Sequence, residues 1–214
     1  MGCPTYEGKA YCLSQYLEGV RRLTYPGLSF LLVDNSRTDA YSHHLAALHI
    51  PVKKIPFTSD PRDRVTDSRN VLREVVLTGG YDYFFSLEQD IVPEPAIIEK
   101  MLAHGKDIVA APYCVFHVID GKQVLVPVVY DIHPHNKEGL WYLPKEELAK
   151  SQLKKVKAFG LGCVLISRVV LEKISFHHAQ GYDDMLFSKD AIDMGFNLYL
   201  DTTLQVTHML LHPK

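Results

Sequence analysis

Through its first half the chain switches repeatedly between two textures. The apolar runs LSFLLV (28–33), YFFSL (83–87) and DIVAA (107–111) have the length and composition of buried strands. Helical patterns lie around them, near 10–23, 38–48, 61–78 and 95–104. Strands that alternate with helices of this length imply an α/β architecture, a mostly parallel sheet with helices on both faces. The punctuation agrees. Pro61 and Pro95 fit the first turns of helices, and Gly79-Gly80 and Gly105 fall just past helix ends.

After Pro112 the pattern becomes mixed. YCVFHVIDGKQVLVPVVYDI (113–132) reads as an antiparallel hairpin around Asp120-Gly121. A polar stretch with Trp141, a Lys-rich segment (145–157), a strand with a glycine bend (KAFGLGCVLIS), helices at 168–174 and 183–194, and two short strands (FNLYL, LQVTHM) complete the chain. No repeat, low-complexity tract or linker divides it, so one domain over 1–214 is expected, with a first half at 1–111 and a second at 112–214. CPTYEG looks like the loop after a first strand, yet almost nothing precedes it.

Composition narrows the function classes. At 214 residues and a formal net charge of -2, the chain lacks the basic excess of a nucleic-acid-binding domain. No apolar run approaches the roughly 20 residues that span a bilayer, and MGCPTYEGKAYCL has no signal-peptide pattern. Cys3, Cys12, Cys114 and Cys163 form no CxxC pair, which suits reduced thiols and a cytoplasmic location. The lysines of 145–157 read as a solvated face rather than a membrane contact.

Ligands of open α/β sheets bind beyond the carboxyl ends of the strands. CPTY, VDNSRTD, SLEQD and the region leading to YDDM fall at such ends. In SLEQD, strand alternation would put Glu88 and Asp90 on one side and Gln89 on the other. Paired carboxylates suit Mg2+ or Mn2+; equally, Asp90 and Glu94 would favour the N-terminus of helix 95–104. Arg69 shares a core-facing stripe with Val65, Leu72 and Val76. Buried there, it requires an anion, either phosphate oxygens or the EQD carboxylates, unless it snorkels to water. Asp34 could accept from a base or ribose, or could simply make a turn. Asp183 and Asp184 start a helix, as capping acids or as a general base. His208 ends the last strand, either as a third metal ligand or as a surface residue. His133, His135 and His212 sit in polar or terminal segments, and Trp141 and Tyr142 could stack on a sugar or simply pack.

The order PTY, VDNSRTD, DSRN, YFFSLEQD, FGLGCVLISRVVLEKI, YDDMLFSKDAIDMGFNLYLD and TH resembles glycosyltransferases of the GT-A fold, a Rossmann-like fold, and within them the family-2-like group. The resemblance covers essentially the whole chain. It implies a nucleotide-binding first half and an acceptor and catalytic second half. Pro4, Thr5 and Tyr6 would form the loop over the base, with Asp34 bonding it. Arg69 would approach the pyrophosphate or the metal-binding acids. EQD would stand as a variant Asp-x-Asp motif, with Asp90 on Mn2+ or Mg2+ and Glu88 near the ribose or a metal-bound water. Gly160 and Gly162 would let backbone approach the donor sugar. Asp184, with Asp183 beside it, would supply the base of an inverting enzyme, and His208 would complete the metal site. The donor implied is a UDP- or GDP-sugar; no acceptor is named. Two departures stand out: Glu88 replaces the first Asp, and the first strand is nearly absent.

Two other functions stay open. A nucleotidyltransferase on a similar sheet would carry a Gly-rich, basic N-terminal loop, where this chain has only Gly8 and Lys9. A catalytically silent nucleotide-sugar or glycan-binding module would use YDDM only as a helix start. Neither GxxxxGK[ST] nor GxGxxG occurs, so P-loop and dinucleotide enzymes are disfavoured.

Overall fold

The computed structural model describes residues 1–132 and 139–210. The first half runs β1 (Gly2–Thr5), a 3-10 turn at Glu7–Cys12, α1 (Leu13–Arg21), β2 (Leu31–Asp34), α2 (Ala40–Ala47) and β3 (Val52–Lys54). It continues with α3 (Pro61–Thr78), β4 (Tyr83–Leu87), β5 (Ile91–Pro93), α4 (Ile97–Ala103) and β6 (Ile108–Ala110). The ends of α3 follow from local chemistry. Asp60 accepts the Arg62 N–H at 2.8 Å with Pro61 in the first turn, and Gly80 leaves the helix at φ +71. Pro95 does not behave this way, because α4 begins only at Ile97. Its carbonyl instead accepts the Thr24 N–H at 3.0 Å and ties the segment to the end of α1.

The second half runs β7 (Cys114–Ile119), β8 (Lys122–Pro127), β9 (Val129–Ile132), β10 (Leu140–Tyr142), α5 (Lys145–Leu148), β11 (Leu153–Val156) and β12 (Ala158–Phe159). Then come β13 (Cys163–Ser167), α6 (Arg168–Lys173), α7 (Asp183–Asp193), β14 (Leu198–Asp201) and β15 (Val206–His208). β7 and β8 pair antiparallel, and Asp120 and Gly121 turn between them at φ 50 and 72, as a two-residue hairpin requires. His133, His135 and His212 lie outside the described residues.

Eight strands form the main sheet in the order β11, β14, β6, β13, β4, β1, β2, β3. β4, β1, β2 and β3 are mutually parallel. β13 enters antiparallel between β4 and β6, and β11 closes the far edge antiparallel to β14, so the whole sheet is mixed. β1 is a full member: it pairs with β2 over four residues and meets β4 at Gly2↔Ser86. Both neighbouring strands thus bond its backbone.

Side chains alternate across the sheet, and both faces are buried. Val33, Phe84, Ile108 and Val164 pack with Leu72, Val76, Val170 and Phe187 from α3, α6 and α7. Leu32, Phe85, Val109 and Leu165 pack with Tyr16, Leu45, Ile97 and Met101 from α1, α2 and α4. Among the described residues no helix is long and apolar enough to cross a membrane, and all four cysteines are free.

Candidate functional site

The carboxyl ends of β1, β2, β4 and β6 point the same way. Because β13 runs opposite, its entry through Gly160–Gly162 lies at that same edge, with Cys163 opposite Leu87. A cavity of about 750 Å³ opens there. Pro4, Thr5, Tyr6, Arg69, Glu88, Asp90, Asp183, Asp184 and His208 all line it.

SLEQD is not a continuous strand at its acids. β4 ends at Leu87, and Glu88–Asp90 form a tight turn closed by Ile91 N to Glu88 O at 2.9 Å. The turn, rather than strand alternation, aims each side chain. Glu88 accepts from Arg69 at 2.7 Å. Gln89 points into the protein, bonding Thr5 and donating to Tyr41 at 3.1 Å and to the Lys9 carbonyl at 2.9 Å. Asp90 takes an ion pair from the Lys9 ammonium and faces His208 Nε2 at 3.4 Å. Asp90 does not cap α4, since β5 lies between them.

Arg69 spans two acids. It is 3% exposed and pairs with Glu88 on one side and Asp183 on the other. Burial disfavours its charge, but Asp183 and Glu88 outweigh that and its pKa rises. Asp183 is therefore committed to Arg69, which separates the roles of the two neighbouring acids. Asp184, less buried, accepts its neighbour's Met185 N–H at 2.8 Å and faces the cavity. Burial raises its pKa above the ordinary aspartate value. Glu88 is raised as well, because burial outweighs the help from Arg69.

Asp90 shifts the other way. Burial would raise it, but His208 and Lys9 hold it down at about 2. His208 Nδ1 lies 2.7 Å from the Cys114 carbonyl, which can only accept, so the δ nitrogen carries a hydrogen. Nε2 then turns its other valence to Asp90, an arrangement that calls for a cation between them, either a proton or a metal. The second oxygen of Asp90 is buried and has no hydrogen-bond partner among the described residues. Asp90 and His208 thus fit a divalent cation of the kind held by one or two protein groups plus substrate phosphate. Glu88 does not join them, because Arg69 holds it, and among the described residues no three His, Cys, Asp or Glu side chains converge as a metal cluster.

Two other expected residues occupy different surroundings. Asp34 is fully buried and accepts from the Ser36 N–H at 2.9 Å and from the Ser36 hydroxyl; its neighbour Asn35 lines the cavity. At Gly160 and Gly162 the close approach is made by Tyr113. A Cβ at either position would collide with its hydroxyl end, and the hydroxyl oxygen accepts the Gly162 N–H at 3.3 Å. The Tyr113 ring also meets His208 edge-on, with centroids 5.4 Å apart.

Lys9 and Tyr113 were not singled out from the sequence as members of this site. Tyr113 follows the end of β6, so the strand-end rule pointed to it. Lys9 follows β1, and an apparently absent strand hid its place.

No protein-family model matches the chain, and no curated protein matches it by sequence. Among solved structures, that of GalNAc-T7 with UDP, GalNAc and Mn2+ matches over 97% of this chain at 12% identity, with a TM-score of 0.67. The match covers 43% of GalNAc-T7, so this chain spans less than half of that protein. A197 from STIV matches 78% of this chain and 76% of its own length at 21% identity, with a TM-score of 0.49. The likeness to GalNAc-T7 shows a shared GT-A-like α/β fold.

Proposed function

We propose that this chain is a glycosyltransferase that moves a sugar from a nucleotide-diphosphate donor to an acceptor hydroxyl. One observation carries the reading. A single cavity at the carboxyl edge of the sheet gathers a cation-seeking Asp90–His208 pair, an acid pair bridged by Arg69 and a separate aspartate, Asp184. A binding module needs no such division of labour. Residues 1–111 would form the nucleotide side and 112–214 the acceptor side.

Pro4, Thr5 and Tyr6 would wall the base, with Asp34 and Asn35 behind them. Asp90 and His208 would hold the metal. The mixed oxygen and nitrogen pair suits Mn2+ better than Mg2+, which prefers oxygen. When bound, the metal would supply Lewis-acid stabilisation of the departing diphosphate. Arg69 bridges Glu88 and Asp183 and offsets part of their charge, so an incoming diphosphate does not meet two wholly uncompensated carboxylates. Asp184 takes the proton of the acceptor hydroxyl as that oxygen attacks the anomeric carbon from the face opposite the diphosphate, which inverts the centre. Burial raises the Asp184 pKa, which makes it a stronger base than a free aspartate. UDP-sugars come first as donors, given the UDP and Mn2+ in the GalNAc-T7 structure, with GDP-sugars next.

The test is nucleotide release from a panel of UDP-, GDP-, dTDP- and CMP-sugars with Mn2+ or Mg2+, with and without EDTA, and with Asp90→Ala as control. Release from one donor that EDTA and Asp90→Ala both abolish is expected. Absence of both release and nucleotide binding across the panel would refute it.

A further inference from the structure

Lys9 is held at both ends by the same acidic turn. Its carbonyl accepts from Gln89 Nε2 at 2.9 Å, and its ammonium sits on Asp90 Oδ2. That oxygen is also the one nearest His208 Nε2. An ammonium and a divalent cation cannot both contact it, because like charges at that spacing repel strongly in a partly desolvated site. Lys9 therefore stands where a metal bridging Asp90 Oδ2 and His208 Nε2 would stand.

It is also the cation at this site best able to move. The Arg69 side chain is 4% exposed and engaged on both sides by Asp183 and Glu88. Arg64 donates to the Thr58 and Ser59 carbonyls. The Lys9 side chain is 25% exposed, lines the cavity and has a flexible stem. Leaving Asp90 without a new anion would strand its charge. A diphosphate provides that anion.

We propose that Lys9 is a ligand of the donor diphosphate, kept on Asp90 until the diphosphate arrives, so that metal and nucleotide enter together. This rests on the nucleotide-donor reading above. Lys9 moves from carboxylate to phosphate, and Asp90 is released to the cation.

The test measures Mn2+ binding by loss of the free-ion paramagnetic signal and UDP or GDP binding by calorimetry. It compares wild type, Lys9→Met and Lys9→Arg, with melting curves to establish folding. A charge-assisted contact of this kind predicts that Lys9→Met binds Mn2+ alone at least about ten-fold tighter than wild type, and binds nucleotide with Mn2+ at least about ten-fold more weakly. Lys9→Arg, which keeps the charge, should stay close to wild type for Mn2+. If Lys9→Met does not fold, Lys9→Gln makes the same comparison. Unchanged Mn2+ affinity in the neutral variant, with nucleotide binding intact, overturns the role of Lys9 alone. Failure of every protein to bind nucleotide overturns the donor reading, and the role of Lys9 with it.

Discussion

Replacing Arg69 with methionine would remove one charge and leave two stranded. The side chain is 4% exposed, and its partners Glu88 and Asp183 are 32% and 0% exposed. Methionine keeps most of the aliphatic packing, so the loss falls on the ionic network. Breaking a buried pair by deleting one partner costs about 3–5 kcal/mol. At about 2–4 °C per kcal/mol for a chain of this size, the melting temperature should fall by about 6–20 °C. The deficit also has a pH signature. Without the guanidinium, which holds the Glu88 pKa down, Glu88 takes up a proton more readily in the folded variant than in the folded wild type. The gap in stability therefore narrows as pH falls. Thermal or urea unfolding of both proteins at pH 8 and pH 5 reads this directly. Adding Asp183→Asn to the variant should recover part of the loss. A melting temperature lowered by less than about 2 °C, or a deficit that does not narrow with acid, would refute the network as the element that ties α3 to the start of α7.

Three further outcomes follow from the same geometry. If Asp184 is the base proposed above, Asp184→Asn should lower turnover by about 100- to 10,000-fold while calorimetric donor affinity stays within a few-fold. Asp90, with its pKa depressed from 3.8 to about 2 and its side chain 10% exposed, stabilises the fold above its unfolded value, and this is lost as pH falls through the folded value. Acid unfolding between about pH 4 and pH 2 should thus cost wild type about 2 kcal/mol that Asp90→Asn does not show. Gly160→Ala should destabilise by about 1–3 kcal/mol through overpacking against Tyr113 and Val128, and Tyr113→Phe in the same chain should return part of it by removing the hydroxyl.

Much of the scaffold could be read before the structure because local chemistry sets it. Asp60-Pro61 starts α3 and Gly79-Gly80 ends it. Asp120-Gly121 turns the hairpin. Where partners are far apart in sequence, the reading thinned. Arg69 plainly required an anion, and EQD was a candidate, but Asp183 lies 114 positions away and only the packing of α7 against α3 brings it close. β1 was underrated because strand length is a poor guide when both neighbouring strands supply hydrogen bonds. That in turn concealed Lys9. In sequence the glycine bend suggests a ligand's approach, whereas Tyr113 takes that space, a fact no local pattern carries.

The central claim, a nucleotide-sugar site at the carboxyl edge of the sheet, is tested most directly by a crystal structure of the protein with Mn2+ and UDP or GDP. The base should lie against Pro4–Tyr6, the cation on Asp90 and His208, and the diphosphate between that cation and the Lys9 ammonium. Nucleotide bound elsewhere on the fold, or bound in this cavity with Lys9 still on Asp90 and the cation on other residues, would contradict it.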